Sequence, residues 1–207
     1  MKLSNLSNNI YVINLPERTD RKEHILKELN KIECENYILF NAINGNNIIN
    51  PTSLRNGMYG LVRTYQSIYE DWKVKNPDNI LIIEDDCVFT DNFNSYLEEY
   101  VNNIPSDWEM MYFGGNHNYH MGYTTQKVNN YCIKLNYTFS AHCVLLKNYV
   151  FEELINNLNN LKIENDVMMA HLQKKYNAYS PLKTMASQIT SYSNIENMVV
   201  NYDWLIK

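Results

Sequence analysis

The chain has 207 residues and a formal net charge of -5; 45% of it is hydrophobic and 13% aromatic, with 17 tyrosines. Such a composition describes a folded globular protein with chain enough for a sizeable core and excludes a disordered one, while the acidic balance gives no support to bulk binding of nucleic acid or anionic lipid. No apolar run approaches the ~20 residues needed to span a bilayer, and the polar start from Met1 to Asn9 does not read as a signal peptide, so the expectation is a cytoplasmic protein of one domain, residues 1–207.

The first strand candidate is Asn9 to Asn14, ended by Leu15 and Pro16. Glu17 to Ile32 then reads as a helix with Ile25, Leu26 and Leu29 on one face. The loop between them carries Arg18 and Arg21, whose forked guanidinium groups suit phosphate or carboxylate; Asp20 offers them a local partner instead. A second short strand over Asn36 to Phe40 leads into the loop Asn41 to Asn47. Gly57 to Lys75 contains a helix, with Leu61, Tyr65, Ile68 and Trp72 at helical spacing, and Pro77 and Asp78 end it. The apolar run Ile80 to Ile83 follows and reads as a strand buried on both faces. Beyond it come a polar helix over Asn92 to Val101, a strand over Glu109 to Phe113 closed by Gly114 and Gly115, and a long loop from Asn116 to Gln126. Tyr131 to Leu135 and Ser140 to Leu146 read as strands, Tyr149 to Leu161 and Val167 to Tyr176 as helices, and the tail from Pro181 onward as extended or irregular. Strands alternating with helices imply an α/β fold with a mostly parallel, nucleotide-binding-like N-terminal half.

Three acids, Glu84, Asp85 and Asp86, abut the apolar strand at its C-terminal end. Like charges this close raise one another's pKa, and the usual compensation is a divalent cation or a cationic partner. Ligands of open α/β sheets bind beyond the carboxyl ends of the strands, so chemistry and address agree on an acidic, metal-binding site. A solvated acidic turn is the plain alternative. A phospho-receiver domain would open with such a strand, but here a long α/β pattern precedes it, and the next strand ends in glycines where a phospho-accepting Asp would stand. Asp166 lies at a predicted helix start, where it or Asn165 would serve as an N-cap or where its carboxylate would face a cleft as a base. The histidines form no metal-binding spacing, and His142 is expected to be buried and hydrogen-bonded. Cys34, Cys87, Cys132 and Cys143 form no CxxC pair, which favours reduced thiols over structural zinc.

Taken in order, these segments resemble glycosyltransferase family 25, which includes bacterial lipooligosaccharide β-galactosyltransferases and collagen hydroxylysine galactosyltransferases. The resemblance is carried by Val12 to Arg21 (a strand into Asn-Leu-x-x-Arg-x-Asp-Arg), Ala42 to Gly45, Ile82 to Asp86, Trp108 to Gly115, Ser140 to Leu146, Asn165-Asp166, and a closing pattern of Pro181, Gln188 and Ser193 to Ile195. Two positions depart. The family has Gly-x-x-x-Ser-His in the helix before the acidic strand, where this chain has Gly60, Thr64 and Tyr65, and the Asp of its closing Ser-Asp-Ile is Asn194.

The resemblance implies a GT-A-type nucleotide-sugar transferase fold with a mostly parallel central sheet flanked by helices. It implies a metal-dependent hexosyltransferase that moves galactose or glucose from a UDP-sugar, with Mn²⁺ or Mg²⁺, to a hydroxyl of a glycan, glycolipid or protein acceptor with inversion. Asp86 would be the first metal contact and Glu84 or Asp85 the second, the other holding ribose or a metal-bound water. Asn14, Arg18, Arg21, Asp85 and Gln188 would hold the donor, Asp166 would be the base, and Tyr119 and Tyr123 would stack on sugar rings. The alternative, which Thr64, Tyr65 and Asn194 favour, is a non-catalytic sugar or nucleotide binder with a glycosyltransferase-like fold.

Overall fold

The computed structural model describes residues 1–118, 121–160, 162–195 and 198–201. The strands are β1 (Ile10–Asn14), β2 (Ile38–Asn41), β3 (Asn79–Glu84), β4 (Cys87–Phe89), β5 (Met110–Tyr112), β6 (Gln126–Lys127), β7 (Cys132–Lys134), β8 (Cys143–Lys147), β9 (Ala178–Pro181), β10 (Ala186–Gln188), β11 (Ser191–Ser193) and β12 (Met198–Val200). The helices are α1 (Thr19–Lys31), α2 (Asn56–Lys73), α3 (Phe93–Asn103), α4 (Asn148–Leu158) and α5 (Asn165–Leu172). One central sheet has the order β2-β1-β3-β8-β5-β9-β7-β6. Following the pairings across it, β2, β1, β3, β5, β9 and β6 run one way and β8 and β7 against them. The sheet is therefore mixed: six of its eight strands share one direction and the first three are paired wholly in parallel, while four of the seven pairings are antiparallel.

The continuous apolar runs of β1 and β3 follow from burial on both faces. Successive side chains alternate between two cores. Tyr11, Ile13, Ile80 and Ile82 join Val62, Tyr65, Ile68 and Trp72 of α2 and Phe151 and Leu154 of α4. Ile10, Val12, Leu81 and Ile83 join Ile25 and Leu29 of α1 and Phe93 and Leu97 of α3 on the opposite face. Trp72 and Phe151 meet edge to face, with ring centroids 5.2 Å apart, where α2 crosses α4.

Several bounds differ from those read in the sequence, and each shift has a local cause. The strand expected from Ser140 starts at Cys143, because Ser140 turns into the left-handed region at φ 64° and breaks the extended run. The helix expected from Val167 starts at Asn165 and ends at Leu172, and the one expected to reach Leu161, a residue outside those described, ends at Leu158. The loop from Asn116 is tied by a bridge to Phe139, and its last residue, Gln126, opens β6. Tyr119 lies outside the described residues. The tail beyond Pro181 is more regular than expected: β10 pairs antiparallel with β4, and β11 with β12. Strands of three residues are too short for alternation to be visible. Among the described residues no helix is long and apolar enough to cross a membrane.

One close approach fixes how the loop after β2 meets α2. A Cβ on Gly45 would lie 1.7 Å from the carbonyl oxygen of Asn56, and one on Gly60 would lie 2.4 Å from that of Ile43. The Thr64 hydroxyl reinforces this seam, donating to the Gly60 carbonyl at 2.8 Å and accepting from the Ile43 N–H at 2.9 Å. Because backbone cannot swing aside as a side chain can, Gly60→Ala should destabilise the protein by about 1–3 kcal/mol, the usual cost of overpacking. Urea unfolding measures it, and an unchanged midpoint would mean the two segments do not touch.

Candidate active site

The acids sit where β3 leaves the sheet. Glu84 is its last residue, in register with Ile13 of β1, and its N–H donates to the His142 carbonyl at 2.9 Å. Asp85 and Asp86 then turn the chain into β4. Pro16 cannot continue β1, and the break that follows brings the start of α1 back across the strand ends. Arg21 Nη1 lies 3.1 Å from Asp85 Oδ1 and 3.1 Å from Asp86 Oδ2, so one guanidinium bridges two carboxylates. All three side chains are largely buried, at 12%, 10% and 9% exposure. Asn14 donates through Nδ2 to Asp85 Oδ2 at 2.8 Å and to the Arg18 carbonyl at 3.2 Å. It stands behind Asp85 and holds it. Gln188, at the end of β10, donates through Nε2 to Asp86 Oδ1 at 3.3 Å.

Arg21 and Arg18 also reach the segment around β11. Arg21 Nη2 donates to Ser191 Oγ at 2.7 Å and to the Tyr192 carbonyl at 3.1 Å. Arg18 Nη1 donates to the Tyr192 carbonyl at 3.0 Å and to Asn194 Oδ1 at 2.6 Å. Its other nitrogens pair with Asp20 at 2.9 and 2.8 Å, the local partnership the sequence offered. The segment around β11 is thereby tied over the strand ends, and it packs so closely on α2 that a Cβ on Gly57 would fall 2.6 Å from the Asn194 carbonyl.

Two open clefts result. The first, about 790 Å³ including its mouth, is lined by Arg18, Arg21, Glu84, Asp85, Asp86 and Gln188 together with the loop from Ala42 to Asn46. The second, about 960 Å³, is lined by Asp166 with Glu84, Asn116, Phe139, Ser140, Asn165 and Gln188. Glu84 and Gln188 line both, so the clefts meet at the acidic turn.

Asp166 does not cap its helix. Glu164 is the N-cap residue of α5 and makes no side-chain cap. The Asp166 carboxylate instead accepts from the Ser140 N–H at 2.9 Å, a contact that the positive φ of Ser140 sets up. Burial raises the Asp166 carboxyl; the N–H groups of Ser140 and Ala141 draw it down, and Asp86 pushes it up. Burial likewise raises Asp85, with Asp86 adding to it and Arg21 and Asn14 opposing. Glu84 is driven furthest, well above the carboxylate range, by burial first and then by Asp86, Asp166 and Asp85. Among the described residues no hydrogen bond or ion pair engages its carboxylate. Two guanidinium groups, that of Arg18 already paired with Asp20, thus stand against four acidic side chains, and the site is short of positive charge.

That deficit and the hard oxygen donors fit a divalent cation. No three described His, Cys, Asp or Glu side chains form a cage for one. A cation carried on a diphosphate needs no such cage, since it takes one or two protein carboxylates and fills its shell with phosphate oxygens and water.

The sequence pattern of glycosyltransferase family 25 (LPS biosynthesis protein) matches residues 7–192. The chain belongs to glycosyltransferase family 25. A procollagen lysyl hydroxylase and glycosyltransferase of Acanthamoeba polyphaga mimivirus is 29% identical over 180 residues, covering 73% of this chain and 20% of that protein. An inactive glycosyltransferase 25 family member 3 of Homo sapiens is 25% identical over 128 residues, covering 51% of this chain and 21% of its own length. The chain thus spans about a fifth of these relatives. In structure it is similar to a glycosyltransferase involved in glycosylation of the major capsid of PBCV-1, with a TM-score of 0.51, 9% identity, and coverage of 91% of this chain and 95% of that one. The fold is accordingly of the GT-A type.

Against the family pattern, Thr64 keeps a hydroxyl where a Ser is usual and uses it on the loop before α2. Tyr65, in place of the His, is fully buried under the site beside Asn165. His142 is buried, as expected, with Nε2 3.0 Å from the Ala186 carbonyl, though in the bend before β8 and not within the strand. All four cysteines are free and buried. The sequence does not single out Ser191, the Tyr192 carbonyl or the Ser140 N–H, which meet the site from distant segments through ordinary polar groups. Tyr123 stacks on Tyr137, with centroids 4.4 Å apart, so its expected ring contact is made within the protein.

Glu84 is the member of this cluster held with least compensation, so Glu84→Gln should raise the thermal midpoint of the ligand-free protein at neutral pH. Each kcal/mol recovered is worth roughly 2–4 °C in a chain of this size. A lowered midpoint would mean that Glu84 contributes to folding and is not a strained functional group.

Proposed function

We propose that this chain, as one glycosyltransferase domain, moves a hexose, galactose or glucose, from a UDP-sugar to a hydroxyl of a glycan, glycolipid or protein acceptor with inversion at the anomeric carbon. The observation that carries the reading is the meeting of two clefts at Glu84, one bearing the acid–arginine cluster and the other Asp166.

Arg18 and Arg21 supply fixed positive charge to a diphosphate at the carboxyl ends of β1 and β3, where such folds bind nucleotides. Asn14 orients Asp85 from behind, and Gln188 orients Asp86. Asp86, with Glu84, would hold Mn²⁺ or Mg²⁺, and Asp85 the donor. Such an ion, when bound, neutralises the charge that develops on the leaving diphosphate.

In the second cleft Asp166 takes the proton of the acceptor hydroxyl. Its oxygen forms the new bond to the anomeric carbon while the bond to the UDP oxygen breaks and its electron pair leaves with UDP. Attack from the side opposite the leaving group inverts the centre. Burial lifts the Asp166 carboxyl towards the pH at which a base works best.

A panel of UDP-hexoses incubated with Mn²⁺, with release of UDP as the readout, tests this. Wild-type protein should turn over at least one donor slowly with water as acceptor. Asp166→Asn should bind UDP normally but lose about 10²–10⁴-fold in turnover, and Asp86→Ala should lose metal-dependent UDP binding while remaining folded. Wild-type turnover in Asp166→Asn would remove it as the base.

A second reading rests on Tyr65 and Asn194, which replace the family's His and Asp: a binder of UDP or UDP-sugar without transfer. Stabilisation by UDP with no turnover of any sugar nucleotide would select it.

A further inference from the structure

Buried amide groups are almost always paired, so those left open inside a cleft call for an explanation. Asn165 is 2% exposed, and neither its Nδ2 nor its Oδ1 has a hydrogen-bond partner. Gln188 is 8% exposed; its Nε2 reaches Asp86, and its Oε1 has no partner. Asn165 lines the Asp166 cleft and Gln188 lines both. Gln188 therefore sits between the acid–arginine cluster and the proposed base, and Asn165 beside that base, flanking the place where a transferred sugar would lie.

We propose that Asn165, together with the free oxygen of Gln188, reads the hydroxyl groups of the donor sugar. The atoms define the ligand's chemistry. Two open acceptors and an open donor suit hydroxyls, each of which both donates and accepts. A phosphate, which mainly accepts, would leave both amide oxygens unmet. The Tyr65 phenol lies against the Asn165 amide, and a contact between the two takes up one amide atom at most and leaves the other open. An amide kept in this state serves packing worse than an apolar side chain of the same size.

The inference rests on the reading of the site as a UDP-sugar transferase, and the experiment separates the two. Affinities for UDP, UDP-galactose and UDP-glucose are measured by titration in Mn²⁺ for the wild type, Asn165→Leu and Asn165→Ala, alongside thermal unfolding of each ligand-free protein. Wild-type protein should bind one UDP-hexose more tightly than UDP. In Asn165→Leu that advantage should fall about tenfold, with UDP affinity within twofold of wild type and a ligand-free midpoint equal to or above wild type. Should Asn165→Leu fail to fold, Asn165→Ala reports the same ratio without added bulk. An unchanged ratio of UDP-hexose to UDP affinity in the folded variant overturns the assignment of Asn165 while leaving the transferase reading in place. A drop in the ligand-free midpoint with that ratio unchanged would make Asn165 a packing residue. Failure of the wild type to bind UDP at all would overturn both.

Discussion

The bridge from Arg21 to Asp85 and Asp86 is the contact on which the rest of the site depends. Three consecutive acids at the end of a buried strand would be intolerable without it, because buried like charges have neither water nor distance to separate them. Removing one partner of a buried ion pair typically costs about 3–5 kcal/mol, since the other charge is left uncompensated. Arg21 is held in turn by Ser191 and by the Tyr192 carbonyl. One side chain therefore joins the start of α1, the end of β3 and the closing strands around a single point. It also leaves the job unfinished, because Glu84 and Asp166 remain unmatched by positive charge. That residue of negative potential is what a cation-bearing ligand would relieve.

Much of this was legible from the sequence where the physics is local. The apolar run of β3 and the helical spacing of Ile68 and Trp72 in α2 encode burial directly, and burial is where they lie. The loop after β1 announced its arginines by position. The pairing of Arg21 with Asp85 and Asp86 was not legible, since it depends on the packing of α1 against the strand ends. The strands after Pro181 could be read only as an extended or irregular tail, because three residues carry no period and the partner of β10, β4, lies far earlier in the chain. Asp166 could be read as a cap or as a base. Only the placement of the Ser140 N–H, through a left-handed turn that no residue type announces, turned its carboxylate away from the helix end.

The departures from the family pattern differ in what they do around the first cleft, which Thr64 and Asn194 line and Tyr65 does not. Thr64 makes the hydrogen bonds that seat the loop before α2, which forms a wall of the first cleft. Tyr65 and Asn194 alter what lies beneath and at the rim, and Arg18 engages Asn194 directly. An amide there accepts from the guanidinium as a carboxylate would, but without neutralising it, which leaves more of the arginine's charge for a ligand.

In the proposed function the acidic turn holds a diphosphate through a divalent cation as well as through Arg21. Calorimetric titration of the wild-type protein with UDP, in Mn²⁺ and again in EDTA, tests it most directly. Binding in Mn²⁺ should weaken at least tenfold when the metal is removed, as the carboxylates then repel the bare diphosphate. Equal affinity in both conditions would contradict it, and would make Arg18 and Arg21 alone the diphosphate site.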